Sequence, residues 1–280
     1  MAGFFGFFDY TKPGKGVDEN APPKRQIFVF FEVMFRKFWK IIQVNLLYFV
    51  AIIPSAVVLL LLGNIVLAPI LNILMAQNYD GSSLAITVII LNILFVAVFV
   101  CLLGAGPVTA GFVYVIRNFT REEHTWVWSD FWEHTKKNFK QAIIVFLVDV
   151  LAVYIFYIAL NFYSNAQGMI SNLKYVMIVF FVIYIFMHLY IYPMMVTFKL
   201  SLKALYKNAF LFAFAKLPQN ILITLFVVAV LAVSAYYAPS LFVTVPLLLF
   251  SLCGYISVFW AYPTLRKYMI IQNDEVKSDD

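Results

Sequence analysis

Residues 141–163 read QAIIVFLVDVLAVYIFYIALNFY, with Asp149 as their single acidic or basic side chain. As a helix rising 1.5 Å per residue, the stretch is about 35 Å long, enough to cross about 30 Å of hydrocarbon. A helix on the surface of a soluble domain carries a polar face, and this one has none. It reads as a transmembrane helix, and that reading sets the frame for the rest of the chain.

Runs of similar length recur at about 46–68, 84–106, 175–198, 218–238 and 240–262, giving six spans with 141–163. The composition agrees: 64% of residues are apolar and 12% are charged, about half the charged fraction of a soluble domain. The expected fold class is all-α, a polytopic membrane helix bundle. Cys101 and Cys253 both lie inside apolar runs, as small core residues rather than a disulfide framework or metal cluster. Residues 1–26 are mixed and polar, without the apolar core of a signal peptide. They read as a cytoplasmic N-terminal segment, followed by a membrane domain over 27–267 and a cytoplasmic tail over 268–280.

The net charge of +6 does not indicate nucleic-acid binding, because the cations flank the apolar runs instead of forming one patch. Lys174 is the one Lys or Arg of the 20 that falls on the opposite side of the spans from the other nineteen. By the positive-inside rule both termini are cytoplasmic, in a multi-pass protein of the cell membrane. The expected outer connections are about 11 residues or shorter, too short for a folded domain. A short apolar piece from Pro69 to Asn78 is expected at the outer interface.

Three inner segments have cations at helical spacing with aromatics opposite, the pattern of helices lying in the interface plane. They are 27–43, 130–141 and 199–216. In the first, Arg36, Lys37 and Lys40 should face water and lipid phosphates. In the second, Asp130 reads as an N-cap with Glu133 three residues later. Each such helix leads into an outward span, and each returning span carries a proline: Pro107, Pro193 and Pro263. The order suggests three repeated helix-hairpin units, with Gly104, Gly106, Pro107, Gly111, Pro193 and Pro263 as sites where a helix breaks.

Several stretches resemble the YesL-like family of Firmicutes integral membrane proteins. They include Asp9–Val17, Arg36–Trp39, Asn45–Tyr48, Gly106–Gly111, Arg117–Phe119, Ser129–Trp132 and Lys137–Lys140. The family has no established function and supplies no catalytic residues. Its members' gene neighbourhoods, with sugar-uptake transporters and two-component sensors, imply a link to carbohydrate import.

The residues themselves offer no enzyme signature: no Walker loop, no GxGxxG, no HExxH, and three histidines too scattered for a metal site. No catalytic residue, cofactor or metal is expected. Asp149 and His188 are conspicuous because ionisable groups inside spans are rare and mark function by default. Asp149 lies ~13 Å and His188 ~16 Å from the inner face by helical rise, close enough in depth to touch. Two readings stand: a hydrogen bond fixing helix register, or a proton- or solute-handling site. Asn64, Asn72, Asn92 and Asn161 suit either sugar hydroxyls or interhelical hydrogen bonds. Phe4–Phe8 (FFGFF) suits membrane anchoring or a partner's groove, and Glu122, Glu123, His124 and His134 suit a solvated face. The leading functional expectation is an accessory or transport-associated subunit linked to carbohydrate uptake, partnered by a membrane transporter. The alternative is a scaffold for a membrane sensor subunit, without transport of its own.

Overall fold

The computed structural model describes residues 24–76, 81–237 and 241–271, almost entirely as helices and without a strand among them. The expected N-terminal Phe4–Phe8 motif and most of the C-terminal tail lie outside the described residues.

Six helices are long and apolar enough to cross a membrane, with mean hydropathy from 1.7 to 3.0. Four of them are α3 (Ile53–Ala76), α4 (Gly81–Leu102), α7 (Phe139–Asn165) and α8 (Leu173–Thr197). The others are α10 (Leu217–Tyr236) and α12 (Phe250–Leu265), the latter preceded by a π-helical stretch over Val245–Leu249. In α3, α7 and α10 only 22% of the apolar window is buried. Leu61, Leu147 and Leu222 are each more than half exposed. Apolar faces this extensive belong against hydrocarbon, since soluble monomers rarely expose such patches.

Shorter helices precede each pair of long ones. They are α1 (Gln26–Arg36) and α2 (Phe38–Ala51), then α5 (Pro107–Thr120) and α6 (Val127–Lys137), then α9 (Leu202–Ala215). Within each pair the long helices pack on one another: α3 on α4, α7 on α8, and α10 on α12. A four-residue helix, α11 (Leu241–Thr244), stands between α10 and the π-helical stretch before α12.

The structure corrects several sequence expectations. The first span starts at Ile53, not near 46. Pro54 has no N–H to continue the preceding ladder, so α2 ends at Ala51. The same span runs through Pro69 to Ala76, so 69–76 extends α3 instead of forming a separate interfacial piece. The segment expected as one helix over 27–43 bends at Lys37, where φ is −102°. The helix expected over 130–141 begins at Val127 and ends at Lys137. Asp130 is not its N-cap; its carboxylate reaches back one turn to accept from the Trp126 N–H at 2.9 Å.

The largest departure is α5, expected as part of a cytoplasmic connection. Gly104 and Gly106 adopt φ of +100° and +77°, conformations that glycine alone enters freely. The chain turns there and restarts with Pro107 in the first turn of α5. Eleven residues of α5 are buried, because α2, α6, α7, α8 and α12 all pack on it. Gly111 allows the closest of these approaches: a Cβ there would lie 2.2 Å from the Phe131 carbonyl oxygen.

Buried polar side chains repair the helix ends and irregularities. Arg117 donates to the Val196 carbonyl and to Thr197 Oγ1, both at 3.0 Å, closing the end of α8. Asn220 donates to the carbonyls of Phe212 and Ala213 at the end of α9. Asn45 donates to the Val245 and Pro246 carbonyls, at 2.9 and 2.6 Å, and accepts from Ser251 N–H at 2.7 Å. A π-helical stretch leaves such backbone groups without their α-helical partners, and the Asn45 side chain satisfies three of them.

Candidate functional site

Asp149 sits ten residues into α7 and His188 nine residues before the end of α8. Both are therefore about 14–15 Å from the same end of the bundle. Their side chains are almost fully buried, and His188 Nε2 lies 2.8 Å from Asp149 Oδ1. Tyr184, one turn earlier on α8, donates its hydroxyl to the same oxygen at 2.6 Å.

The second ring nitrogen determines the proton count. His188 Nδ1 is 3.0 Å from the Tyr184 backbone carbonyl, which can only accept, so Nδ1 carries a hydrogen. The Nε2···Oδ1 contact then needs one proton, on the imidazole or on the carboxyl group. Either arrangement leaves the pair without net charge. An ionised aspartate alone at mid-membrane costs about 2.5–3.5 kcal/mol on insertion scales, and the pairing avoids that.

More polar groups surround the pair. Asp149 Oδ2 and the hydroxyls of Tyr192 and Tyr206 are buried without a hydrogen-bond partner. Tyr184, His188 and Tyr192 follow at intervals of four and form one stripe along α8. At its far end Tyr192 packs so closely on Gly104 that a Cβ there would lie 2.8 Å from its ring. Beside His188 and Tyr192 is a void of about 60 Å3, also lined by Tyr48, Gly104 and Thr109. It has room for a few waters. Thr109 Oγ1 accepts from Ala105 N–H and bonds the Tyr48 hydroxyl, both at 2.7 Å, so the bend after α4 has its backbone satisfied.

This constellation can hold a proton beside a small void whose lining is mostly apolar. Cys101 and Ser257 also line the void. Among the described residues no group of three His, Cys, Asp or Glu side chains is arranged to hold a metal.

Residues 88–160 match the family described as Protein of unknown function, DUF624. No curated protein and no solved structure matches the chain. The DUF624 segment contains the Gly104–Gly106 bend, α5, α6 and Asp149, and ends before Tyr184 and His188. Four of the stretches that carry the family resemblance, from Gly106 to Lys140, lie within it.

Of the helix-break candidates, Gly104, Gly106 and Pro107 sit at a real interruption. Pro193 and Pro263 do not, since α8 and α12 run on through both. Each proline removes one backbone donor near a helix C-terminus, and the rest of the ladder holds. Gly111 lies within α5 and serves close packing. Arg36 pairs with Glu122, Lys37 donates to the Glu123 carbonyl at 3.1 Å, and Lys40 is exposed. Asn92 donates to Asn64 Oδ1 and to Val88, Asn161 donates to Tyr157, and Asn72 faces outward. These four asparagines do not converge on one site.

The expected solvated face is corrected at His134 alone, since Glu122 and His124 are exposed and Glu123 is half-buried. His134 is buried, with its ring stacked on Tyr114 at 3.3 Å between centroids. Burial, then the Lys137 and Arg117 charges, hold its pKa down to about 4 against the ordinary 6.5, while Asp130 opposes them. Sequence reading also missed Tyr184, Tyr192 and Tyr206. The interval of four around His188 was present, but one aromatic-rich span contains many such intervals.

Proposed function

We propose that the chain is a YesL-like integral membrane protein without enzymatic chemistry, serving a carbohydrate-uptake system as an accessory or transport-associated subunit. The observation that carries this reading is the Asp149–His188 pair, without net charge, buried mid-bundle beside a small void that Tyr48 and Tyr192 also line. A register-fixing contact alone needs no ionisable residues, since an Asn would serve it at lower insertion cost. Groups that hold one proton between two helices suit a protein that follows solute or proton movement in a transporter partner. The carbohydrate link rests on the family resemblance, which the DUF624 match supports over residues 88–160.

In this reading both termini are cytoplasmic and the basic short helices form the inner face. Contacts in the structure are compatible with one shared end. Arg36 and Lys37 reach the turn after α5, Arg117 reaches the end of α8, and Gln141 donates to the Leu200 carbonyl.

Co-purification tests the reading. Full-length protein extracted from its own membranes in mild detergent should bring down a sugar permease or its ATPase in stoichiometric amount. Recovery of a sensor histidine kinase with no transporter subunit would replace the proposal with the scaffold function.

A further inference from the structure

A groove of about 670 Å3 opens between α1, α10 and the end of α12. Its wall is apolar, formed by Ile27, Phe30, Phe31, Leu222, Phe226 and Trp260. Phe31, Leu222 and Phe226 are 44%, 69% and 54% exposed. The wall is therefore continuous with the outer apolar face of α10, where Leu225 is equally open. The groove's long side faces the medium that surrounds the spans, which is acyl chain.

One end of the groove is cationic. Lys216, the N-cap of α10, lies 3.1 Å from the Tyr268 hydroxyl and 4.8 Å from the centre of its ring. Lys267 approaches the same ring at 5.7 Å. Among the described residues no carboxylate pairs with either lysine. The neighbouring polar groups are already engaged: Gln219 donates to the Trp260 carbonyl at 2.6 Å and accepts from Thr264. An ammonium has three donors, so both lysines retain N–H groups for an anion. The positive end of the α10 dipole adds to the same field.

We propose that this groove binds an anionic phospholipid. The phosphate sits between Lys216 and Lys267 beside Tyr268, and an acyl chain runs along Phe31, Leu222 and Phe226. Charge and shape select this occupant over a peptide. The cations stand at the end of the bundle, at headgroup level, and the apolar wall descends from them along a membrane span. Lysines at this level attract anionic lipid by about 1 kcal/mol each.

The test uses the full-length protein in bilayer discs of phosphatidylglycerol and phosphatidylethanolamine at a ratio of 1:3. Benzoylphenylalanine replaces Leu222 in one sample and Leu147, an exposed residue of α7 outside the groove, in another. After irradiation, the share of each lipid in the adducts is read by mass spectrometry. The expected result is phosphatidylglycerol enriched above its bilayer share at Leu222 and not at Leu147. Adding Lys216→Gln and Lys267→Gln should remove that enrichment and lower phosphatidylglycerol retained in native mass spectra about tenfold or more. Equal lipid shares at both positions, or enrichment unchanged by the two substitutions, would overturn the proposal. So would adducts to residues 1–23, to residues 272–280 or to a second copy of the chain.

Discussion

His188 and Asp149 face each other across α8 and α7 at 2.8 Å, with the other histidine nitrogen committed to the Tyr184 carbonyl. Only Asp149 lies within the DUF624 match, which ends at residue 160. Their meeting follows from helix geometry, because each lies at the same depth from the same end of adjacent antiparallel spans.

Replacing the aspartate separates the value of the hydrogen bonds from that of the proton. Asp149→Asn can place its amide nitrogen where Oδ1 stands, donating to His188 Nε2 and to the Tyr184 hydroxyl oxygen, so thermal unfolding in detergent should change little. Asp149→Leu strands the Tyr184 hydroxyl and His188 Nε2, at about 1–3 kcal/mol for each unsatisfied group. A large loss of stability in Asp149→Asn would show that the carboxyl group serves the fold by more than its hydrogen bonds.

Asn45 is expected to be among the most sensitive positions in the chain. Asn45→Leu keeps the branched shape of the side chain but leaves Ser251 N–H and the Val245 and Pro246 carbonyls without their partner. The expected destabilisation is about 3 kcal/mol or more, read from denaturant midpoints. A change within about 0.5 kcal/mol, the range of ordinary surface substitutions, would mean that the π-helical stretch does not depend on this side chain.

How much of this was legible in the sequence depended on the kind of signal. Six spans were readable because hydrocarbon thickness fixes a length and excludes charge, as residues 141–163 show. The depths of Asp149 and His188 followed from the same arithmetic. Residues 107–120 misled because Arg117 and Asn118 look like solvent residues, yet both are buried as partners for one another and for the end of α8. Asn45 was unreadable as a repair group because its partners lie 200 to 206 residues away. The buried stack of Tyr114 and His134 was hidden for a similar reason: it depends on Gly111 bringing α6 against α5.

That stack makes a pH prediction. With its folded pKa held at about 4 against 6.5, His134 binds fewer protons folded than unfolded between those values. Stability from this site is full above about pH 6.5 and declines as pH falls towards 4. Hydrogen exchange in α5 and α6 should therefore accelerate as pH falls from 6.5 to 5, after correction for its intrinsic pH dependence. The His134→Gln protein should lack that acceleration. Identical pH profiles for the two proteins would remove His134 as the cause.

Topology is open to reporter fusions. Fusions after residues 80, 130, 170 and 205 should report outside, inside, outside and inside in turn. An external signal at residue 130 would reverse the assignment of the short helices to the inner face.

The shared proton is tested most directly by nitrogen-15 NMR of the histidine side chains in full-length protein. Only three histidines are present, so His124→Gln and His134→Gln isolate His188. The account predicts a protonated Nδ1 throughout, and an Nε2 resonance that reports a strong hydrogen bond and moves on Asp149→Asn. A bare Nδ1, with an Nε2–H signal indifferent to Asp149→Asn, would contradict it.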